Sequence, residues 1–248
     1  GSSHVGSCLS IVDLVAVLYG HVLKIFPNDP ESSSRDIFIL SKGHAGAAIY
    51  SVLSYVGFFS KDLLSSHYQD GSNFSGHVSH KGVAGVEFST GSLGHGLPVA
   101  VGVALSFKIN KKDNKSFVLM SDGEFDEGSN WEAILFAAHH KLDNLFVIVD
   151  RNKLQSIRTT EETLSLEPFK EKFSSFGWNA IEINGHNHDE IRKALTDANT
   201  VVVSETLSKK LFGDEPALDK NILISQGGPV INFKITITNM GIYEEEFQ

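Results

Sequence analysis

Cysteine is almost missing from this sequence: Cys8 is the only one in 248 residues. A single thiol cannot close an internal disulfide, and it fits a reducing compartment. No apolar run approaches the roughly 20 residues that a membrane-spanning helix needs. The start shows no signal-peptide pattern, so a cytoplasmic location is the expected default, although the chain opens on Gly1 rather than Met. Positive charge is scarce too. Lys and Arg total 21 against 30 Asp and Glu, a formal net charge of −9. That balance argues against nucleic acid or an anionic membrane as the main partner. It leaves room for an anionic cofactor, because a metal ion and a few backbone N–H groups can handle a diphosphate locally. There is no His-Glu-x-x-His and no Cys cluster, which argues against a zinc site.

What is present is an ordinary globular composition, 41% hydrophobic, 10% aromatic and 21% charged. Helical and short apolar segments alternate along the chain, which points to an α/β fold with a mainly parallel sheet covered by helices. Ser10 is placed to cap a helix carrying Ile11, Leu14, Val15, Leu18 and Val22 on one face. A strand is expected over 36–40, a buried helix over 45–56, and a long Gly/Ser/His-rich loop over 65–91 of the kind that usually carries function. Helix 97–107, strand 117–120, helix 131–142 and strand 145–149 follow. Two further helix–strand pairs are read at 167–176 with 180–183, and at 188–195 with 201–204. Beyond 206 the text changes: Ile222–Ile224 is a short apolar run, and 230–238 reads as a strand or extended arm. Glu161-Glu162 reads as a solvated loop. Trp131 and Trp178 read as packing residues. His21, His67, His80, His139, His140, His186 and His188 read as surface or hydrogen-bonded histidines.

The sharpest local signal is the unit strand–Asp122-Gly123–helix–strand–Asn152. Asp122 falls at the carboxyl end of one parallel strand and Asn152 just past the end of the next, where ligands gather in such sheets. A right-handed crossover keeps both ends on one edge. A carboxylate, an amide oxygen and a backbone carbonyl could complete an octahedral site with two diphosphate oxygens and water, a set suited to Mg²⁺. Gly123 lets the backbone approach a diphosphate closely.

These residues resemble the thiamine-diphosphate motif, which runs Gly-Asp-Gly, a spacer, then Asn. Ser121 stands where the family has its first Gly. The run from Glu124 through Phe125-Asp126-Glu127-Gly128-Ser129-Asn130-Trp131-Glu132-Ala133 is similar to the transketolase form of that motif. Other marks of the transketolase family agree with it. Ser3-His4-Val5-Gly6-Ser7, Leu40-Ser41-Lys42-Gly43-His44-Ala45 and Gly76-His77 resemble the three segments that supply active-site histidines. Gly85 to Gly96 resembles the Gly-rich cofactor loop, with His95 where the family more often has Gln. The resemblance covers roughly residues 1–206.

It implies a three-layer thiamine-diphosphate-binding fold over 1–206, with 207–248 a divergent arm. It implies His4, His44, His77 and Glu127 as catalytic residues, Glu127 in the place of an interface carboxylate. His44, Gly91, Ser92, Leu93, Asp122, Gly123, Glu124 and Asn152 would bind the cofactor. Asp122, Asn152 and the backbone of Leu154 would hold Mg²⁺. The implied activity is transfer of a two-carbon ketol unit between sugar phosphates with thiamine diphosphate.

Two parts that the family needs are expected elsewhere. One is the Glu that touches the aminopyrimidine, carried on a pyrimidine-binding domain. The other is a further His downstream of a Lys-Gly-Lys-Gly loop. Here Ser208-Lys209-Lys210 stands at that place, and no His follows His188. The expectation is therefore a split enzyme, this chain with a separate C-terminal subunit in a heterotetramer. The alternatives are a relative acting on another sugar or sugar-nucleotide acceptor, or a non-catalytic homologue.

Overall fold

A computed structural model describes residues 4–155, 158–196 and, for the backbone, 234–239. Strands β1 (Ile37–Leu40), β2 (Ser116–Ser121) and β3 (Leu145–Arg151) pair in parallel, with Phe117 opposite Phe146 and Ser121 opposite Asp150. β6 (Asn179–Asn184) runs the same way but is reached through β7 (Lys234–Asn239), which is antiparallel to both neighbours. The main sheet therefore has the order β1-β2-β3-β7-β6.

The middles of β2 and β3, residues 117–120 and 145–149, are aliphatic and aromatic because both faces are covered. Alternate residues divide between two cores. Phe117, Leu119, Phe146 and Ile148 face α1 (Val5–Ser10), α2 (Val12–Val17), α3 (Gly46–Tyr55) and α8 (His188–Thr196). Val118, Met120, Val147 and Val149 face α4 (Gly96–Ile109), α5 (Gly128–His139) and α7 (Phe169–Ser175). The result is the expected three-layer α/β arrangement. Leu97, Ala100 and Ala104 are fully buried on α4, where small residues let the helix sit close to the sheet. Among the described residues no helix is long and apolar enough to cross a membrane.

Several local expectations are corrected. The helix read over 11–22 is α2 followed by a π-helical turn, Leu18–Val22, and a separate short helix, α1, precedes it. Ser10 ends α1 instead of capping a helix, because its hydroxyl donates across the fold to Asp150 Oδ1 at 2.8 Å. Glu161-Glu162 is not a loop. It forms α6 (Thr160–Thr163), capped where the Glu162 N–H donates to Thr159 Oγ1 at 3.2 Å and the Thr159 N–H donates back to Glu162 Oε2 at 3.0 Å. A two-stranded ribbon, β4 (Leu154–Gln155) with β5 (Arg158–Thr159), precedes it. The 230–238 reading survives as β7, six residues long and inside the sheet. The strand read at 201–204, the run 222–224 and the rest of the proposed arm lie outside the described residues. Trp131 and Trp178 do pack, and each indole N–H finds a carbonyl, of Phe125 at 2.9 Å and Ile134 at 3.1 Å.

Phe117 and Phe146 stack at 4.7 Å across the register pair in the middle of the sheet, both fully buried. Phe146→Ala should cost about 3–5 kcal/mol in urea denaturation of the full chain, the range for removing a buried aromatic ring. A loss below about 1 kcal/mol, the size of a tolerated core swap, would show that this contact does not hold the sheet.

Candidate active site at the strand tips

The parallel β2–β3 pairing brings the predicted diphosphate residues together. Asp122 follows β2 and Asn152 follows β3, on the same sheet edge. Asp122 Oδ2 accepts the Lys153 N–H at 2.7 Å, and Oδ1 accepts the Gly123 N–H at 2.9 Å. The Asp122 N–H donates to the Asp150 carbonyl at 3.2 Å. Asn152 Oδ1 accepts the Leu154 N–H at 2.9 Å across a turn in which Lys153 has φ 61°. The Asp122 carboxylate thus spans from its own strand tip to the residue after Asn152.

Burial pushes the Asp122 carboxyl up to about 6, Asp150 adds to the rise, and the two N–H groups and Lys42 oppose it. A buried carboxylate with this environment gains most from a cation beside it. Asp122, Asn152 and the Leu154 backbone offer only hard oxygens, the chemistry Mg²⁺ takes. Beside them a Cβ on Gly123 would come 2.8 Å from Gln155 Cδ, so a larger residue would displace that side chain. Gln155 donates to Asp126 Oδ2 at 2.8 Å, while its buried Oε1 has no partner. The donor set and this unpaired oxygen fit a metal–diphosphate group. No group of three or more His, Cys, Asp or Glu suited to a metal occurs among the described residues.

The three predicted histidines also converge. His4 lies 5.0 Å from His44 and 5.9 Å from His77, ring centre to ring centre, and His44 lies 6.5 Å from His77. His4 heads α1 in the left-handed region, at φ 65°. His44 sits in the turn between β1 and α3. His77 comes from the long loop, and a Cβ on Gly91 would lie 3.0 Å from its Cδ2. His44 is half-buried. Burial first, then Lys42, His4 and His77, lower its pKa to about 4, so at neutral pH it is an uncharged donor or acceptor.

Sequence reasoning misses the buried scaffold that holds these groups. The Lys42 ammonium is fully buried and pairs with Asp150 Oδ2 at 2.5 Å. Lys42 stands in one of the histidine-bearing segments, and a lysine two residues past a buried strand is itself a visible signal. Glu124 is expected to bind the cofactor, but its carboxylate is fully buried and engaged by protein. It accepts from Ser41 Oγ at 2.5 Å, the Gly94 N–H at 3.0 Å and the Ser121 N–H at 3.4 Å. Its side chain therefore positions the Gly-rich loop. Thr90 Oγ1 donates to the Leu40 carbonyl, and a Cβ on Gly43 would come 2.4 Å from the Thr90 carbonyl oxygen. Gly91, Ser92 and Leu93 follow directly on this clamp, with Ser92 exposed. Glu127 is exposed at the start of α5. His95 is exposed, with Nδ1 2.9 Å from the Leu93 carbonyl. His186 and His188 bond Asp13 at 2.7 and 2.8 Å, far from the imidazole cluster along the chain.

Because His44 titrates near 6.5 when unfolded and near 4 when folded, the unfolded chain binds more protons between those values. Stability should fall as pH drops through that window and level off below it. His44→Gln should flatten this part of the profile in denaturation series. Parallel profiles for the two proteins would contradict the assignment.

Residues 1–210 match the family described as transketolase, thiamine diphosphate binding domain. Among curated relatives, one of the subunits of the apulose-4-phosphate transketolase of Phocaeicola vulgatus is 42% identical over 190 residues, 77% of this chain and 67% of that protein. The 6-deoxy-6-sulfo-D-fructose transketolase subunit SqwG of Clostridium sp. is 36% identical over 245 residues, covering 99% and 86%. The crystal structure of transketolase from Campylobacter jejuni superposes with a TM-score of 0.69 at 31% identity, covering 77% of this chain and 34% of that one. The chain thus spans about a third of the full-length transketolase in that structure. On the match across residues 1–210, together with these two subunits, this chain belongs to the transketolase family, in its thiamine-diphosphate-binding part.

Proposed function

We propose that this chain is the diphosphate-binding subunit of a split transketolase, moving a two-carbon ketol unit between sugar phosphates. The observation that carries the reading is the joining of two neighbouring strand tips by the Asp122 carboxylate, with three imidazoles clustered near one another. Support for a split enzyme comes from two relatives that are named as transketolase subunits. One carries apulose-4-phosphate in its name and the other 6-deoxy-6-sulfo-D-fructose; a small phosphorylated or sulfonated ketose is the corresponding substrate class here.

Asp122, Asn152 and the Leu154 carbonyl would hold Mg²⁺, and Gly123 would leave room for the diphosphate. Gly91, Ser92 and Leu93 would line the organic part of the cofactor, with His44 beside them. Thiamine diphosphate supplies the carbon nucleophile and the electron sink. His4, His44 and His77 would orient the sugar hydroxyls and hold or move protons at the carbonyl and hydroxyl oxygens. Neutral His44 can do this without adding a cation next to the buried Lys42. Glu127 would face a partner that carries the pyrimidine-binding domain, in a heterotetramer. Helix α5, which Glu127 leads into, also exposes Leu135 at 59% and Phe136 at 43%, a surface suited to burial by a partner.

Two outcomes test this. Asp122→Ala in the assembled enzyme should reduce Mg²⁺-dependent thiamine diphosphate affinity at least tenfold by calorimetry, about the 1.4 kcal/mol that one charge-assisted contact supplies; unchanged affinity would remove the metal assignment. Glu127→Ala should weaken assembly of the subunits or their activation while leaving the fold intact. Full activity in an unaltered complex would argue against the interface role.

A further inference from the structure

The Asp150 carboxylate has no direct part in the proposed metal set, yet it is fully buried and both of its oxygens are taken by side chains remote in sequence. Oδ1 accepts the Ser10 hydroxyl at 2.8 Å, 140 residues away. Oδ2 meets the Lys42 ammonium at 2.5 Å, 108 residues away. Ser10 closes the helix that His4 opens, and Lys42 stands two residues before His44. The backbone carbonyl of Asp150 meanwhile takes the Asp122 N–H. Three segments with different duties therefore meet on one residue near the end of β3.

Stability alone does not account for this arrangement. A fully buried ion pair gains little over two apolar residues of the same volume, since desolvation offsets most of the attraction. What a charged pair adds is direction. A carboxylate with one donor on each oxygen fixes where both donors lie, and here both donors belong to imidazole-bearing segments. Helix α1 has six residues and is too short to hold its place unaided. Its N-cap residue, His4, makes no side-chain capping bond.

We propose that Asp150 is a positioning residue that registers the two imidazole-bearing segments, 4–10 and 42–44, against the diphosphate-facing strand tip through a single buried carboxylate. The Ser10 bond sets His4, the Lys42 bond sets His44, and the 5.0 Å spacing of the two rings follows from their common anchor. The consequence for ketol transfer rests on the function proposed above; the geometric coupling does not.

The test uses the full chain without cofactor. Histidine-labelled NMR should show an inter-ring cross-peak between His4 and His44. Ser10→Ala should abolish it and raise amide exchange over residues 5–10 about tenfold, the scale of one lost buried hydrogen bond, with protection in 116–121 and 145–151 unchanged. Ser10→Thr should restore both. Because Asp150→Asn alone leaves Lys42 uncompensated and risks unfolding, the paired change Lys42→Met with Asp150→Leu is the second variant. It should fold, with the sheet protected, and lose the His4–His44 cross-peak. Persistence of that cross-peak in Ser10→Ala or in the paired variant would overturn the proposal. So would loss of protection throughout the sheet in Ser10→Ala, which would mark a purely structural role. Thiamine diphosphate and Mg²⁺ binding is measured alongside on the unaltered chain assembled with its partner subunit; failure there would remove the function reading alone, since the ring contacts need no cofactor.

Discussion

The parallel register of β2 and β3 is the constraint on which the site depends. With Ser121 opposite Asp150, the residues that leave each strand emerge side by side. The Asp122 carboxylate then needs only to reach the Lys153 N–H to join the two tips. A slip of one residue would turn alternate side chains to the other core and carry Asn152 out of line with Asp122. Both faces of these strands are fully buried, so that slip is strongly opposed.

The two halves of the site sit on different supports. The diphosphate-facing half is made by strand ends and inherits the rigidity of the sheet. The imidazole half is assembled from a short helix, a turn and a long loop, none of which has a defined place by itself. Buried polar groups supply that placement. Glu124 gathers Ser41, Gly94 and Ser121, and Asp150 gathers Ser10 and Lys42. Arg35 pairs with Glu87 at the base of the same loop. Each carboxylate has hydrogen-bonding partners that offset part of its desolvation penalty, and the loops gain a fixed geometry.

Much of this is legible in the sequence, for identifiable reasons. The strand–Asp122-Gly123–helix–strand–Asn152 unit is local, and its spacing alone puts both residues on one edge. His4, His44 and His77 are recognisable from the short segments around them, and the fold brings their rings together. Long-range pairings are not legible. Nothing local to Ser10 signals a bond to residue 150, and its position before an apolar stripe favours a cap. Glu124 adjoins Gly123, which suggests the cofactor, but its turn aims the carboxylate inward. The Thr159–Glu162 capping box is readable, yet the two adjacent acids suggest a solvated loop instead. The placement of β7 between β3 and β6 depends on pairing across distant chain, which periodicity cannot show.

The central claim is that two strand tips jointly hold a divalent ion and, through it, a diphosphate. Substituting Mn²⁺ for Mg²⁺ in the presence of thiamine diphosphate tests it directly, by the paramagnetic broadening of backbone amide signals. Signals from 122–124 and 152–155 should broaden first and together, and the Asp13–His186–His188 cluster that joins α2 to the start of α8 should stay sharp. Broadening confined to one tip, or centred on that cluster, would contradict it.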